Sequence, residues 1–88
     1  MKTIHAIIFG KVQGVFFRDN TQRTAYEHGI TGWVRNNADG TVELEASGNE
    51  QALQKFQAWL KVGPTKAHVT DIKLNELELK IFDDFKIR

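Results

Sequence analysis

Alternating apolar and polar positions predict several strands in this chain. Residues 3–9, TIHAIIF, place three apolar side chains on one face of an extended segment, namely Ile4, Ala6 and Ile8. Residues 41–47, TVELEAS, alternate apolar residues with glutamate and serine, which predicts one buried and one solvated face. Segments rich in β-formers and bounded by turn residues predict three further strands, at residues 31–36, 68–74 and 85–88.

Two other segments have the spacing of helices. Residues 48–61 carry apolar side chains at intervals of three and four positions, and Asn49 is a suitable N-cap. The Gly-Pro pair at residues 63–64 should end this helix. Residues 17–29, which end in a glycine, predict a first helix with a weaker apolar face. That face consists of Phe17, Thr21 and Ala25.

The order of these elements predicts the fold class. Strand, helix, strand, strand, helix and strand, followed by a short C-terminal strand, is the split βαβ (βαββαβ) order of a ferredoxin-like α+β sandwich. We expect one domain over residues 1–88, with two helices on one face of an antiparallel sheet and a more open second face. The Asp-Gly pair at residues 39–40 predicts a hairpin. Residues 75–82 alternate in the opposite parity to residues 68–74, so we expect a bulge or break near Asn75.

Composition and charge narrow the function classes. The 88 residues are 41% hydrophobic and 26% charged, with a net charge of +1 and no cysteine. One modest core is expected, without disulfides, thiolate metal sites or cysteine nucleophiles. The N-terminus lacks the apolar region of a signal peptide, and no apolar segment approaches the roughly 20 residues of a membrane span. We therefore expect a free-standing cytoplasmic monomer that binds neither membranes nor nucleic acid. The three histidines lack ligand spacing, so no metal site is predicted.

The segment FGKVQGVFFR, residues 9–18, has features of an anion site. It leads from the first strand to the first helix, where main-chain N–H groups lack intrahelical partners and the helix dipole adds positive charge. Gly14 permits a turn in which N–H groups converge, and Arg18 adds a planar fork of donors. Together they favour a compact oxyanion such as phosphate. Alternatively, Gly14 serves only a tight turn and Arg18 pairs with a surface acid such as Asp19, and the spacing alone slightly favours this second interpretation.

Asn36 is a second candidate for a functional residue. It ends the strand of residues 31–36, and this strand lies close to the first one if the first helix crosses between them. A carboxamide near the glycine-containing loop could position a water molecule by accepting or donating a hydrogen bond. The alternative is that Asn36 and Asn37 are ordinary turn residues before the Asp-Gly pair.

The open face of the sheet suggests a different class of function, a single-stranded RNA-binding module. The apolar side chains expected there are Ile7, Phe9 and Trp33. Stacked aromatic residues on such a face bind single strands in RNA-recognition domains of similar topology. Glu43 and Glu45 should lie on the same face and would repel phosphates. We expect instead a second apolar cluster under the C-terminal segment, with a contribution from Phe82 or Phe85.

Two motifs resemble those of a known family. The segments GKVQGVFFR, residues 10–18, and GWVRN, residues 32–36, resemble the acylphosphatase family. The resemblance continues through residues 39–48, 63–69 and 85–88. It implies a ferredoxin-like fold and the hydrolysis of a carboxyl–phosphate mixed anhydride without a metal or cofactor. The implied partners are a small-molecule acyl phosphate as substrate and inorganic phosphate as product.

The resemblance also implies the roles of individual residues. Arg18 takes the position of the phosphate-binding arginine, and Asn36 that of the asparagine that positions the attacking water. The phosphate-cradling loop falls on Gln13, Gly14, Val15, Phe16 and Phe17. Directly after Arg18 the chain has Asp19 and Asn20, where many relatives carry a bulky or aromatic residue. This difference bears on helix packing and on the preferred leaving group.

Acyl phosphate chemistry suits a chain that has no evident pair of nucleophile and base. The leaving group is a carboxylate with a pKa of about 4, which departs without a proton. Phosphoryl transfer can then depend on positioning and charge stabilisation alone. In the mechanism that the resemblance implies, the proton of the water passes to a phosphoryl oxygen. Acylphosphatase-like domains also occur within larger proteins, so an accessory domain with a vestigial site is a third possibility.

Overall fold

The computed structural model describes every residue from Met1 to Arg88. Its elements are β1 (Lys2–Lys11), α1 (Phe17–Glu27), β2 (Thr31–Asn36), β3 (Val42–Gly48), α2 (Glu50–Val62), β4 (His68–Leu77) and β5 (Phe85–Ile87). This order confirms the predicted βαββαβ arrangement with a short C-terminal strand. Neither helix has the length and apolar content that crossing a membrane requires.

The five strands form one sheet in the order β4-β1-β3-β2-β5. The β1–β3, β1–β4 and β2–β3 pairs are antiparallel. β5 is parallel to β2, with Phe85 opposite Gly32. The sheet is therefore mixed and not purely antiparallel, because the chain crosses from the β4 edge to the opposite edge before it forms β5.

Residues 78–84 make this crossing over the open face of the sheet. The N–H of Lys80 donates to Thr3 Oγ1 at 2.8 Å, and Ser47 Oγ donates to the carbonyl of Lys80 at 2.8 Å. Both hydroxyl side chains are buried there. Thr3 lies near the start of β1 and Ser47 near the end of β3. The crossing therefore lies at the end of the sheet opposite to the β1–α1 loop.

The core lies between the two helices and the sheet. The face predicted for β1 is buried, and the predicted faces of both helices are buried against it. Asn49 is the N-cap of α2, where its Oδ1 accepts from the N–H of Ala52 at 2.7 Å. The same helix ends at Val62, and Gly63 follows with a φ of 72°. These placements confirm the predicted helix boundaries to within two residues.

The predicted bulge near Asn75 is absent, and the predicted break falls two residues later, after Leu77. β4 remains in regular register with β1 up to the pair of Leu77 and Thr3. The register shifts instead where Phe9 pairs with Asp71 and Gly10 with Val69, which leaves Thr70 as the extra residue. The opposite parity of residues 75–82 arises because β4 ends at Leu77 and the chain then leaves the sheet.

The expected apolar cluster on the open face is also partly wrong. Phe85 lies in the main core and packs against Phe56. The centroids of the two rings are 6.1 Å apart, and the angle between the ring planes is 69°. Phe82 does border a surface pocket together with Trp33. Around Trp33, however, charged side chains replace the expected apolar neighbours. The guanidinium groups of Arg35 and Arg88 lie 5.2 Å and 4.7 Å from the centre of its ring.

Candidate active site

The loop between β1 and α1 turns sharply before the helix begins. Two of its residues have left-handed backbone angles, with a φ of 73° at Gly14 and 62° at Phe16. Phe16 is the N-cap of α1 and is the only residue other than glycine with a positive φ. Such an angle is costly for a phenylalanine, and residues of this kind concentrate at functional sites. The side chain and the main-chain N–H of Asn20 help to set it, because Asn20 Nδ2 and Asn20 N donate to Phe16 O at 2.9 Å and 3.1 Å.

The main-chain amides of this loop are free. No N–H from Gln13 to Phe17 donates a hydrogen bond to another group of the protein. The N-terminus of α1 also has no side-chain cap, whereas α2 is capped by Asn49. Free N–H groups and the positive end of the α1 dipole therefore occur together in this loop, which is the combination that binds anions at helix N-termini.

The side chains of Gln13 and Val15 hold the loop in place. Gln13 Nε2 donates to the carbonyls of Asn37 at 2.8 Å and Thr41 at 2.9 Å. These two bonds tie the loop to the β2–β3 turn. The side chain of Val15 is buried in the core. Of the residues predicted to cradle phosphate, Gln13 and Val15 can therefore offer only their main-chain N–H groups.

A cleft of about 260 Å³ lies in front of the loop. It brings together Arg18 from α1 and Asn36 from the end of β2, two residues 18 positions apart in the sequence. Its lining residues are Val12, Gly14, Phe16, Phe17, Arg18, Asp19 and Asn36. Sequence reasoning did not assign Val12 or Asp19 to the site, although Asp19 stands next to Arg18 in the first turn of α1.

Arg18 is half-buried and makes no ion pair or side-chain hydrogen bond. The alternative in which Arg18 pairs with Asp19 is therefore not what the structure contains. Since a guanidinium has five N–H donors, Arg18 keeps its full capacity to bind the oxygens of an anion in the cleft.

Asn36 is distinct from the turn residues that follow it. The turn is held by Asn37 and Asp39: Asn37 Nδ2 donates to Thr41 Oγ1 at 3.0 Å, and Asp39 Oδ1 accepts from the N–H of Thr41 at 3.0 Å. The hydrogen bonds from Thr41 also lower the pKa of Asp39. Asn36 makes no hydrogen bond through its carboxamide, and its Oδ1 is a buried acceptor without a partner. Such groups are rare, so this one points to a ligand or a water molecule.

The open face of the sheet is built from paired charges. Glu43 accepts from His5 Nε2 at 2.6 Å and from Arg35 Nη2 at 2.9 Å. The hydrogen bond from His5, followed by that from Arg35, lowers the pKa of Glu43 although partial burial opposes the shift. Trp33 Nε1 donates to Glu45. The aromatic side chain here is thus engaged by charged neighbours, which differs from the bare stacking platform of an RNA-binding sheet.

No group of three or more histidine, aspartate or glutamate side chains is placed to hold a metal ion. The histidines lie apart from one another. His5 bonds to Glu43, His28 Nδ1 donates to Thr24 O at 2.8 Å, and His68 is exposed at the start of β4.

Comparisons with known proteins identify relatives over nearly the whole chain. The model of the acylphosphatase family matches residues 4–87. An acylphosphatase of Thiobacillus denitrificans is 47% identical over 78 residues, which covers 89% of this chain and 88% of that protein.

Solved structures agree with this match. The crystal structure of an acylphosphatase from Bacillus subtilis superimposes with a TM-score of 0.97 at 40% identity, covering 100% of this chain and 99% of that one. A crystal structure of full-length HypF in a phosphate- and nucleotide-bound form matches with a TM-score of 0.92 at 33% identity. It covers 99% of this chain but only 12% of that one, so the fold also occurs within a much longer protein. The chain belongs to the acylphosphatase family.

Proposed function

We propose that this acylphosphatase-type enzyme hydrolyses carboxyl phosphates to a carboxylate and inorganic phosphate, without a metal or cofactor. One observation carries the proposal. A single cleft combines the free main-chain amides of the β1–α1 loop, the unpaired guanidinium of Arg18 and the unpartnered carboxamide of Asn36.

The loop and Arg18 would bind the phosphoryl group. The free N–H groups from Gln13 to Phe17 are donors fixed in place by the two bonds of the Gln13 side chain. Arg18 contributes a full positive charge and two parallel donors to the same oxygens. Donors that are already in position stabilise the charge of the transition state without having to reorganise.

Asn36 would hold the attacking water. Half a turn about its Cβ–Cγ bond exchanges Oδ1 and Nδ2, so either end of the carboxamide can face the cleft. With Oδ1 as acceptor, a water molecule donates one hydrogen to Asn36 and keeps a lone pair for the phosphorus. The water oxygen forms the new P–O bond while the bond to the acyl oxygen breaks.

The remaining steps need no further protein group. The electron pair of the broken bond goes to the acyl oxygen, which leaves as a carboxylate and needs no proton because its pKa is about 4. The proton of the water goes to a phosphoryl oxygen, and inorganic phosphate results. The protein contributes positioning and charge stabilisation, the two effects on which phosphoryl transfer mainly depends.

Hydrolysis of benzoyl phosphate in the presence of excess EDTA tests this proposal. We expect the wild-type protein to be active, and Arg18→Ala to lose at least about 1000-fold in kcat/KM because it removes both binding and charge stabilisation. Lys55→Ala is the control, since Lys55 is an exposed cation of α2 that lies outside the cleft. An inactive wild-type protein, or Arg18→Ala with normal activity, would contradict the proposal.

A further inference from the structure

A second pocket adjoins the cleft. Its volume is about 420 Å³, and it shares Phe16 and Asp19 with the cleft. The residues that line it are Val15, Phe16, Asp19, Asn20, Arg23, Pro64, Thr65 and Lys66. Since Phe16 borders both spaces, a ligand that extends from the cleft over this ring enters the second pocket.

Two of the three charged residues in this pocket are cations that make no ion pair. Arg23 comes from α1 and Lys66 from the loop after α2, and both are exposed. The ion pairs of the protein involve other cations, namely Lys2, His5, Arg35 and Lys80. Asp19 is the only acid in the lining, and it pairs with neither cation. The pocket thus has one net positive charge and two cations without partners.

Phe16 supplies the apolar part of the boundary. Phe16 is 67% exposed, so its apolar surface is open to a ligand in either space. The left-handed backbone of Phe16 is held by hydrogen bonds from Asn20 to its carbonyl. A short carbon chain can pack on this ring between two polar ends.

We infer that this pocket binds the acyl half of the substrate and favours an acyl group that carries a second anion. The inference rests on the proposed function. With the phosphoryl group held by the loop and Arg18, a short acyl chain would cross the Phe16 ring, and a terminal carboxylate would meet Arg23 and Lys66. The preferred substrate class is therefore the monophosphate anhydride of a short dicarboxylic acid.

A comparison of succinyl phosphate with butyryl phosphate tests the inference. Both acyl groups have four carbons, and only the first carries a second charge. We expect wild-type kcat/KM to favour succinyl phosphate, and added salt to reduce the ratio. Arg23→Gln and Lys66→Gln should each lower the ratio about threefold and together about tenfold, the range typical of exposed charge pairs. The kcat/KM for butyryl phosphate should fall less than that for succinyl phosphate, because butyryl phosphate carries no second anion.

Lys55→Gln is the matched control, because it makes the same change in net charge on an exposed position of α2 that borders neither pocket. It should leave the ratio at the wild-type value. If the double variant keeps the wild-type ratio while butyryl phosphate is still hydrolysed, the inference is overturned and the proposed function stands. If the wild-type protein hydrolyses neither substrate, both fail.

Discussion

Asn36 and Arg18 line the same cleft, but only Arg18 offers a charge to a bound phosphate. If Asn36 positions the water, Asn36→Ala should act on turnover and spare binding. We expect kcat to fall about 100-fold, the usual effect of losing one positioned polar group, and the inhibition constant of inorganic phosphate to change less than about threefold. Steady-state kinetics with phosphate as competitive inhibitor measures both. Asn75→Ala, at an exposed position of β4, is the control. An equal loss in kcat and phosphate affinity would show that Asn36 binds the phosphate.

Gln13 shows how one side chain can couple two loops. Its Nε2 bonds to the carbonyls of Asn37 and Thr41, so Gln13→Ala removes two hydrogen bonds. Each carbonyl keeps one main-chain donor, from Gly40 and Asn37 respectively. We expect the free energy of unfolding in urea to fall by about 1–3 kcal/mol. Phosphate should also inhibit less strongly, since the loop amides lose their anchor. Gln51→Ala, at an exposed position of α2, should change neither quantity. Loss of stability with unchanged phosphate inhibition would show that the anchor does not serve the site.

At the scale of elements, the approach of β1 to β4 depends on a glycine. An added Cβ at Gly10 would lie 2.0 Å from the carbonyl oxygen of His68, and its φ is 120°. Gly29, after α1, has a φ of 66° and no atom within 4 Å of such a Cβ. We expect Gly29→Ala to cost about 1 kcal/mol in urea unfolding, from the left-handed angle alone. Gly10→Ala should cost more than about 3 kcal/mol or prevent folding, because backbone atoms must move. Similar losses of unfolding free energy in both variants would contradict a steric clash between the added Cβ at residue 10 and the His68 carbonyl.

The elements themselves could be predicted because each has a local signal. Alternation in β1 and β3, the spacing of α2 and its Asn49 cap are visible within about ten residues of sequence. The bulge at Thr70 has no such signal, because it depends on how β4 pairs with a strand some 60 positions earlier. The burial of Phe85 likewise follows from the parallel pairing of β5 with β2, which residues 78–84 make possible.

The candidate site likewise has features that could be predicted from the sequence and features that could not. Arg18, Asn36 and the predicted loop could be named from the two motifs. The structure places Arg18, Asn36 and three of the five loop residues around one cleft, which Gln13 and Val15 do not line. The side-chain bonds of Gln13 depend on carbonyls of the β2–β3 turn, which sequence spacing cannot place. Two adjacent asparagines also look alike in the sequence, whereas Asn37 holds the turn and Asn36 keeps a free carboxamide. The catalytic roles of Arg18 and Asn36 are predictions.

At the scale of the whole molecule, Glu43 joins three strands of the open face. From β3 it accepts hydrogen bonds from His5 of β1 and Arg35 of β2. These bonds hold the pKa of Glu43 below its usual value of 4.5, and the bond from His5 has the largest effect. A carboxylate whose pKa is lower in the folded than in the unfolded state stabilises the folded protein. This stabilisation is complete at pH values above the pKa of the group in the unfolded state. That contribution is lost as the pH falls through the folded pKa.

We therefore expect the free energy of unfolding to decrease as the pH falls below about 4.5. Glu43→Gln removes the titrating group, so the variant should be less stable at pH 7 and should lose less stability between pH 6 and pH 3 than the wild-type protein does. Urea unfolding across that range measures both. Glu27→Gln is the control, since Glu27 is exposed and makes no ion pair, and it should keep the wild-type slope. A Glu43→Gln curve parallel to that of the wild type would mean that other carboxylates, such as Asp39, govern acid stability.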